Sequence, residues 1–153
     1  MVKRRFLAGR YAMAVAQPIY VCSAPNCEVH HKAIKDGTHW LQPDHCIGCG
    51  GMAFMFFQTN GEAQRYASLR LQEKTGRVRD LKRQVRFGLF TIAPNGLQVH
   101  VADYIADFVY TIIATGEEIV EDVKPKGGID PVAALKLKWR AAQRGKPVAI
   151  YRV

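Results

Sequence analysis

Two groups of residues in this sequence have types and spacings that could do chemistry. The first is Asp107 together with Asp122-Val123-Lys124. Side chains alternate faces along a β-strand, so on a strand Asp122 and Lys124 project from the same side. A turn near Thr115-Gly116 folds the segment holding Asp107 back against Glu118–Lys124 and sets two carboxylates beside one ammonium. Asp107 lies between Ala106 and Phe108-Val109-Tyr110, and an unpaired carboxylate in such apolar company is costly. A hard divalent cation, Mg2+ or Mn2+, offsets that cost. Magnesium binds through one or two carboxylates, keeps several waters and adds substrate phosphate. Phosphodiester hydrolysis uses that arrangement to activate water and stabilise developing charge. Lys124 can hold the phosphate or the water. The competing reading is a salt bridge from Lys124 to either aspartate on a solvated strand edge.

The second group is Cys22-x4-Cys27 and, eighteen residues later, Cys46-x2-Cys49. Two close thiolate pairs suit a closed tetrahedral Zn2+ site. Gly48 and Gly50-Gly51 permit the tight turns it needs. A polar segment of this length has little core of its own, so zinc would supply its folding energy. Two disulfides, or a histidine replacing one thiolate, are the rivals. His30, His31, His39 and His45 are expected at the surface or against phosphates.

The elements that must position these residues can be read from pattern. Pro18–Val21 is strand-like and runs into Cys22. The stretch between Cys27 and Cys46 suits a loop or short hairpin, and Met52–Phe57 a buried strand or a docking segment. Thr59 or Asn60 caps a helix from Gly61 to Lys74, with Gly76 at its end. Val85, Phe87 and Leu89 alternate with polar residues as a half-buried strand, and Pro94-Asn95-Gly96 is a turn. Val99–Ile113 and Glu118–Lys124 form a hairpin. Asp130 caps a helix with Pro131 at its first position, ending near Gly145, and Pro147–Val153 is a closing strand. This divides the chain into a cysteine module, 1–58, and an α/β core, 59–153.

The chain carries 22 Lys and Arg against 13 Asp and Glu, a formal charge of +9. That excess favours a polyanionic partner, nucleic acid first, through counterion release, with a merely solvated basic surface as the alternative. Lys3, Arg4, Arg5, Arg10, Lys32 and Lys35 are the expected backbone contacts. Arg10 interrupts the only leader-like stretch, and nothing approaches the ~20 apolar residues of a membrane span. A cytoplasmic protein without membrane association is expected.

The run Gly61-Glu62-Ala63-Gln64-Arg65-Tyr66, then Gly76–Leu81 with Gln84 and Phe87, resembles small phage nucleases of the DUF1064 family. The likeness continues through Tyr104–Tyr110, Val120–Lys124, the Lys136/Lys138 helix and the closing strand, roughly residues 59–153. That family is classed with the PD-(D/E)XK, restriction-endonuclease-like enzymes. The resemblance implies a mixed central sheet flanked by helices. It makes Glu62 the helix acid, Asp107 and Asp122 the metal ligands and Lys124 the lysine, with Gln84 a possible accessory. It also implies a metal-dependent DNA endonuclease, of the junction-resolvase kind among others, acting as a homodimer in a phage-infected or prophage-bearing bacterium. Two alternatives are a non-catalytic zinc-containing nucleic-acid binder and a subunit of a phage DNA-processing complex. Ala106 stands where a proline-like residue precedes the first acid. The segment Pro125–Pro131 departs from the threonine-rich link expected there, which leaves Lys136 and Lys138 without an assigned role. Of the remaining acids, Asp103 is expected near the rim of the site and Glu121 on the opposite face from Asp122.

Overall fold

The structure is a computed structural model and describes residues 17–37 and 39–153. Lys3, Arg4, Arg5 and Arg10 lie outside the described residues. The chain divides into two compact units, residues 1–63 and 64–153.

In the first unit, β1 (Ile19–Cys22) is the centre of a three-stranded antiparallel sheet. It is flanked by β2 (His30–Lys32) and, from later in the chain, β5 (Phe54–Phe57). Between these, β3 (Ile34–Asp36) and β4 (His39–Leu41) form a hairpin. Among the described residues of this unit, the buried apolar ones are few: Ile19, Val21, Ala33, Phe57 and Ala63, joined by Cys22 and Cys46. A core this small gives a unit little stability unless a cross-link or metal adds to it. Met52–Phe57 is only partly the buried strand expected. Met52 is exposed and the strand starts at Phe54, with Phe56 facing out as the pleat alternates.

Helix α1 (Asn60–Lys74) spans the boundary between the units, and Thr59 Oγ1 accepts the Glu62 N–H at 3.1 Å. The second unit is built on a four-stranded mixed sheet in the order β6 (Val78–Ile92), β7 (Gln98–Ile112), β8 (Glu118–Lys124), β9 (Ala149–Arg152). The first three strands are antiparallel, and β9 runs parallel to β8. A parallel neighbour requires a crossover, and α2 (Pro131–Arg144) supplies it. Asp130 Oδ1 accepts the N–H groups of Val132 and Ala133, and Gly145 closes the helix in the left-handed conformation. The core of this unit joins Leu89, Tyr104, Ala106, Val109, Val120 and Leu137.

Strand β6 begins seven residues before the expected Val85. Its first half, Val-Arg-Asp-Leu-Lys-Arg-Gln, shows no alternation because the ladder shifts register between Arg79 and Lys82. Asp80 and Gln84 adopt φ +58° and +49°. A bulge of this kind adds a residue and cancels the period of two on which strand reading depends.

Candidate functional site

The ladder between β7 and β8 runs from Thr111↔Glu118 to Phe108↔Glu121 and stops. One step further, the register sets Asp107 opposite Asp122. The backbone pairing is there replaced by a side chain: the Val123 N–H donates to Asp107 Oδ2 at 2.7 Å. On the other side of β7, Gln84 Nε2 donates to Asp107 Oδ1 at 3.2 Å. Gln84 does so from left-handed backbone, a conformation that costs a non-glycine residue about 1–2 kcal/mol. Gln84 therefore does reach the acid pair.

Asp122 and Lys124 share a face of β8, and Lys124 Nζ lies 2.9 Å from Asp122 Oδ2. The Asp122 side chain is only 4% exposed. Burial, followed by the neighbouring Asp107 carboxylate, pushes its carboxyl up from 3.8 to about 7, against the opposing pull of Lys124. Two acids thus crowd one place, and a single ammonium does not balance them. Glu121 points the other way, as alternation requires. Arg65 on α1 grips it with Nε and Nη2, both at 2.7 Å, and the Tyr110 hydroxyl adds a bond at 2.9 Å. This buried pairing fixes α1 on one face of the sheet and leaves the other for Asp122. Glu62 sits in the first turn of α1, within residues 1–63.

On the Asp122 face, β7, β8 and α2 enclose a cleft of about 220 Å³ lined by Asp103, Tyr104, Asp122, Lys124, Ala133 and Lys136. Asp103 stands on it with its carboxylate held by Arg86 and His100, each at 2.8 Å. The sequence assigns Lys136 no role. Its signal was the helix period, since Ala133, Lys136 and Arg140 fall on one stripe of α2. Lys138 lines a separate apolar cavity with Ile129, Leu137 and Val148.

In the first unit the Sγ atoms of Cys22, Cys27, Cys46 and Cys49 all lie within 4.8 Å of one another. Cys22–Cys49 and Cys27–Cys46 are 3.6 and 3.5 Å apart, and all four cysteines are free thiols. Disulfides need sulfurs about 2.05 Å apart, whereas tetrahedral Zn–S bonds of about 2.3 Å place sulfurs about 3.8 Å apart. The donor set and its spacing fit a metal of the zinc kind. A Cβ on Gly48 would meet Val29 Cγ2 at 2.8 Å and Cys27 Sγ at 3.4 Å, so any larger residue there would have to displace Val29. The Gly48 and Gly51 amides donate to Cys46 and Cys49 sulfurs at 3.4 Å.

His31 departs from the expected surface position. It is 8% exposed, packs edge-on to Phe54, and places Nε2 3.3 Å from Cys46 Sγ. On β2 it alternates with His30 and Lys32, so the pleat turns it inward. Although burial opposes it, the His31 bond and the Gly48 and Cys49 amides hold the Cys46 thiol down at about 6. His30, Lys32 and His45 line an open cavity of about 390 Å³. Lys35 Nζ lies 5.6 Å over the Trp40 ring.

The profile of one family, described as a protein of unknown function (DUF1064), matches residues 51–144. The chain belongs to the DUF1064 family. The DUF1064 match takes in α1, β6, β7, β8 and α2, and with them Gln84, Asp107, Asp122 and Lys124. It starts after Cys49 and ends before β9, so the cysteine cluster lies outside it. No match was found among curated proteins or among solved structures. Among the described residues, no helix is long and apolar enough to cross a membrane.

Proposed function

We propose that this protein is a magnesium-dependent endodeoxyribonuclease of the PD-(D/E)XK kind, with Asp107 and Asp122 as cation ligands and Lys124 beside them. The observation that carries the reading is the buried Asp122 carboxyl, which is pressed against Asp107 and lines a cleft together with Lys124. A pair of acids so placed is unfavourable by itself and suited to a hard cation, which fits the oxygen donors present. The order α1-β6-β7-β8-α2-β9 on a mixed sheet supports the same reading, as does the +9 charge.

When bound, the ion supplies Lewis acidity toward a phosphodiester and its attacking water. The residues do the rest. Asp107 is oriented by the Val123 amide and by Gln84; Asp122 provides the second oxygen. Lys124 exchanges Asp122 for a phosphate oxygen or the water. Hydrolysis joins the water oxygen to phosphorus, breaks one P–O ester bond and leaves the departing oxygen protonated. Glu62 is proposed as the helix acid. DNA is the proposed substrate, with branched forms included, in a bacterial cytoplasm under phage influence. A homodimer would offer one site for each strand. Lys32 and Lys35, exposed in the first unit, are proposed contacts to the DNA backbone.

The test is incubation of the protein with supercoiled and branched DNA in Mg2+ or EDTA, beside Asp107→Ala and Lys124→Ala. Magnesium-dependent cutting abolished by both substitutions supports the site; cutting indifferent to both eliminates it. The cysteine cluster favours a second reading, a zinc-containing nucleic-acid binder without catalysis, or a subunit active only within a larger phage complex. Tight DNA binding without cleavage would select it.

A further inference from the structure

Tyr104 has one polar atom, and it is badly served. The residue is 4% exposed, and among the described residues its buried hydroxyl has no hydrogen-bond partner. An unmet buried hydroxyl is costly, and native structures usually explain it by a ligand or water. The ring stacks on Phe87 at 6.3 Å with 17° between planes. Burial and the charges of Asp122 and Asp107 push the phenol up, so it stays protonated and acts as a donor.

The same cleft receives ammonium groups from two elements. Lys124 comes from β8. Lys136 comes from α2 and donates to the Asp103 carbonyl at 3.0 Å. A carbonyl takes one of three ammonium donors and cancels no charge. Among the described residues Lys136 has no ion pair; the nearby Asp103 carboxylate is taken by Arg86 and His100. At about 220 Å³, the cleft is below the roughly 300–1,000 Å³ of sites that enclose whole small molecules, and it suits a single phosphate group.

We propose that this cleft seats one backbone phosphate of the nucleic acid, gripped by Lys124 from β8 and Lys136 from α2, with the Tyr104 hydroxyl as a third, neutral donor. The seat rests on the nuclease reading, since a phosphate beside Asp122 needs a divalent ion to offset the acid pair. Lys136 and Tyr104 are binding and positioning residues.

The experiment measures binding of a labelled duplex DNA across a salt series, with Ca2+ replacing Mg2+ so that the duplex stays intact. Lys136→Gln should weaken binding roughly tenfold near 0.1 M salt and lower the salt slope by about 1. Lys138→Gln removes the same charge from the same helix and should do less. Tyr104→Phe should raise KM for cleavage with little change in kcat. Lys136→Gln that matches wild type, or matches Lys138→Gln, overturns the seat. Wild-type protein that cuts nothing while Lys136→Gln still loses affinity and slope in Ca2+ removes cleavage from the reading and keeps the phosphate seat with its divalent ion. Normal cutting with unchanged slope and KM in Lys136→Gln and Tyr104→Phe does the reverse. Wild-type protein that fails to bind DNA overturns both.

Discussion

The two units solve opposite problems with similar means. In residues 17–58 the fold is poor in buried apolar area, and four sulfurs converge at spacings that a soft metal satisfies. In residues 64–153 the sheet and α2 bury a continuous core, and beside it two carboxylates are forced together at a cost. The first cluster serves the fold. The second burdens the fold, which points to a ligand as the reason for its placement. A cation is thus read as structural in one unit and functional in the other.

The sharpest way to break this contrast is to deny the cysteine cluster any metal. Binding free energies for structural zinc run about 10–16 kcal/mol, so a strong chelator, or Cys46→Ser, should unfold residues 17–58. Amide hydrogen exchange should show that loss while β6–β9 stay protected, and metal analysis should find about one zinc per chain beforehand. Protection lost equally in both units would erase the distinction.

Next in size is catalysis. Asp107→Ala and Asp122→Asn should each lower magnesium-dependent cleavage at least about a thousandfold, read as initial rates on supercoiled DNA. Asp122→Asn should also stabilise the protein in buffer free of added divalent ions. The unfolded Asp122 carboxyl titrates near 3.8 and the folded one near 7. Between those values the folded chain holds a proton that the unfolded chain lacks, so wild-type stability falls as pH rises through that window, by roughly a few kcal/mol. Thermal melts from pH 4 to 8 should show this slope in wild type and its reduction in Asp122→Asn. Equal slopes would mean the acid pair carries no strain.

A smaller effect is expected at His31. Residues that hydrogen-bond to metal ligands typically change affinity by about 10–100-fold. His31→Ala should weaken zinc binding by that order in a chelator competition while leaving cleavage intact. The smallest effects belong to Lys32 and Lys35, whose alanine variants should each lower the DNA salt slope by about 1 without altering kcat.

Much of this was legible in the residues. The limits of β8, the Asp130–Pro131 start of α2 and the Thr115-Gly116 turn follow from local rules of capping and alternation, and those elements place Asp122 and Lys124 on one face. The cysteine spacing was enough to foresee convergence. Other features depended on information that no local pattern carries. The register shift between Arg79 and Lys82 hid the start of β6, because a bulge erases alternation where it occurs. The inward turn of His31 depended on which strand β2 would pair with. Lys136 and the Tyr104 hydroxyl meet only through the crossover that sets α2 against the sheet, a contact between residues far apart in sequence.

The replacement of a ladder bond by the Asp107 carboxylate has a consequence of its own. The Val123 amide proton is tied to one oxygen of the acid that a cation would claim, and it lies between Asp122 and Lys124 in the chain. Any ion drawing on that oxygen must tug on this single proton. Its nuclear magnetic resonance frequency is therefore a built-in gauge of occupancy, readable without substrate and without altering a residue.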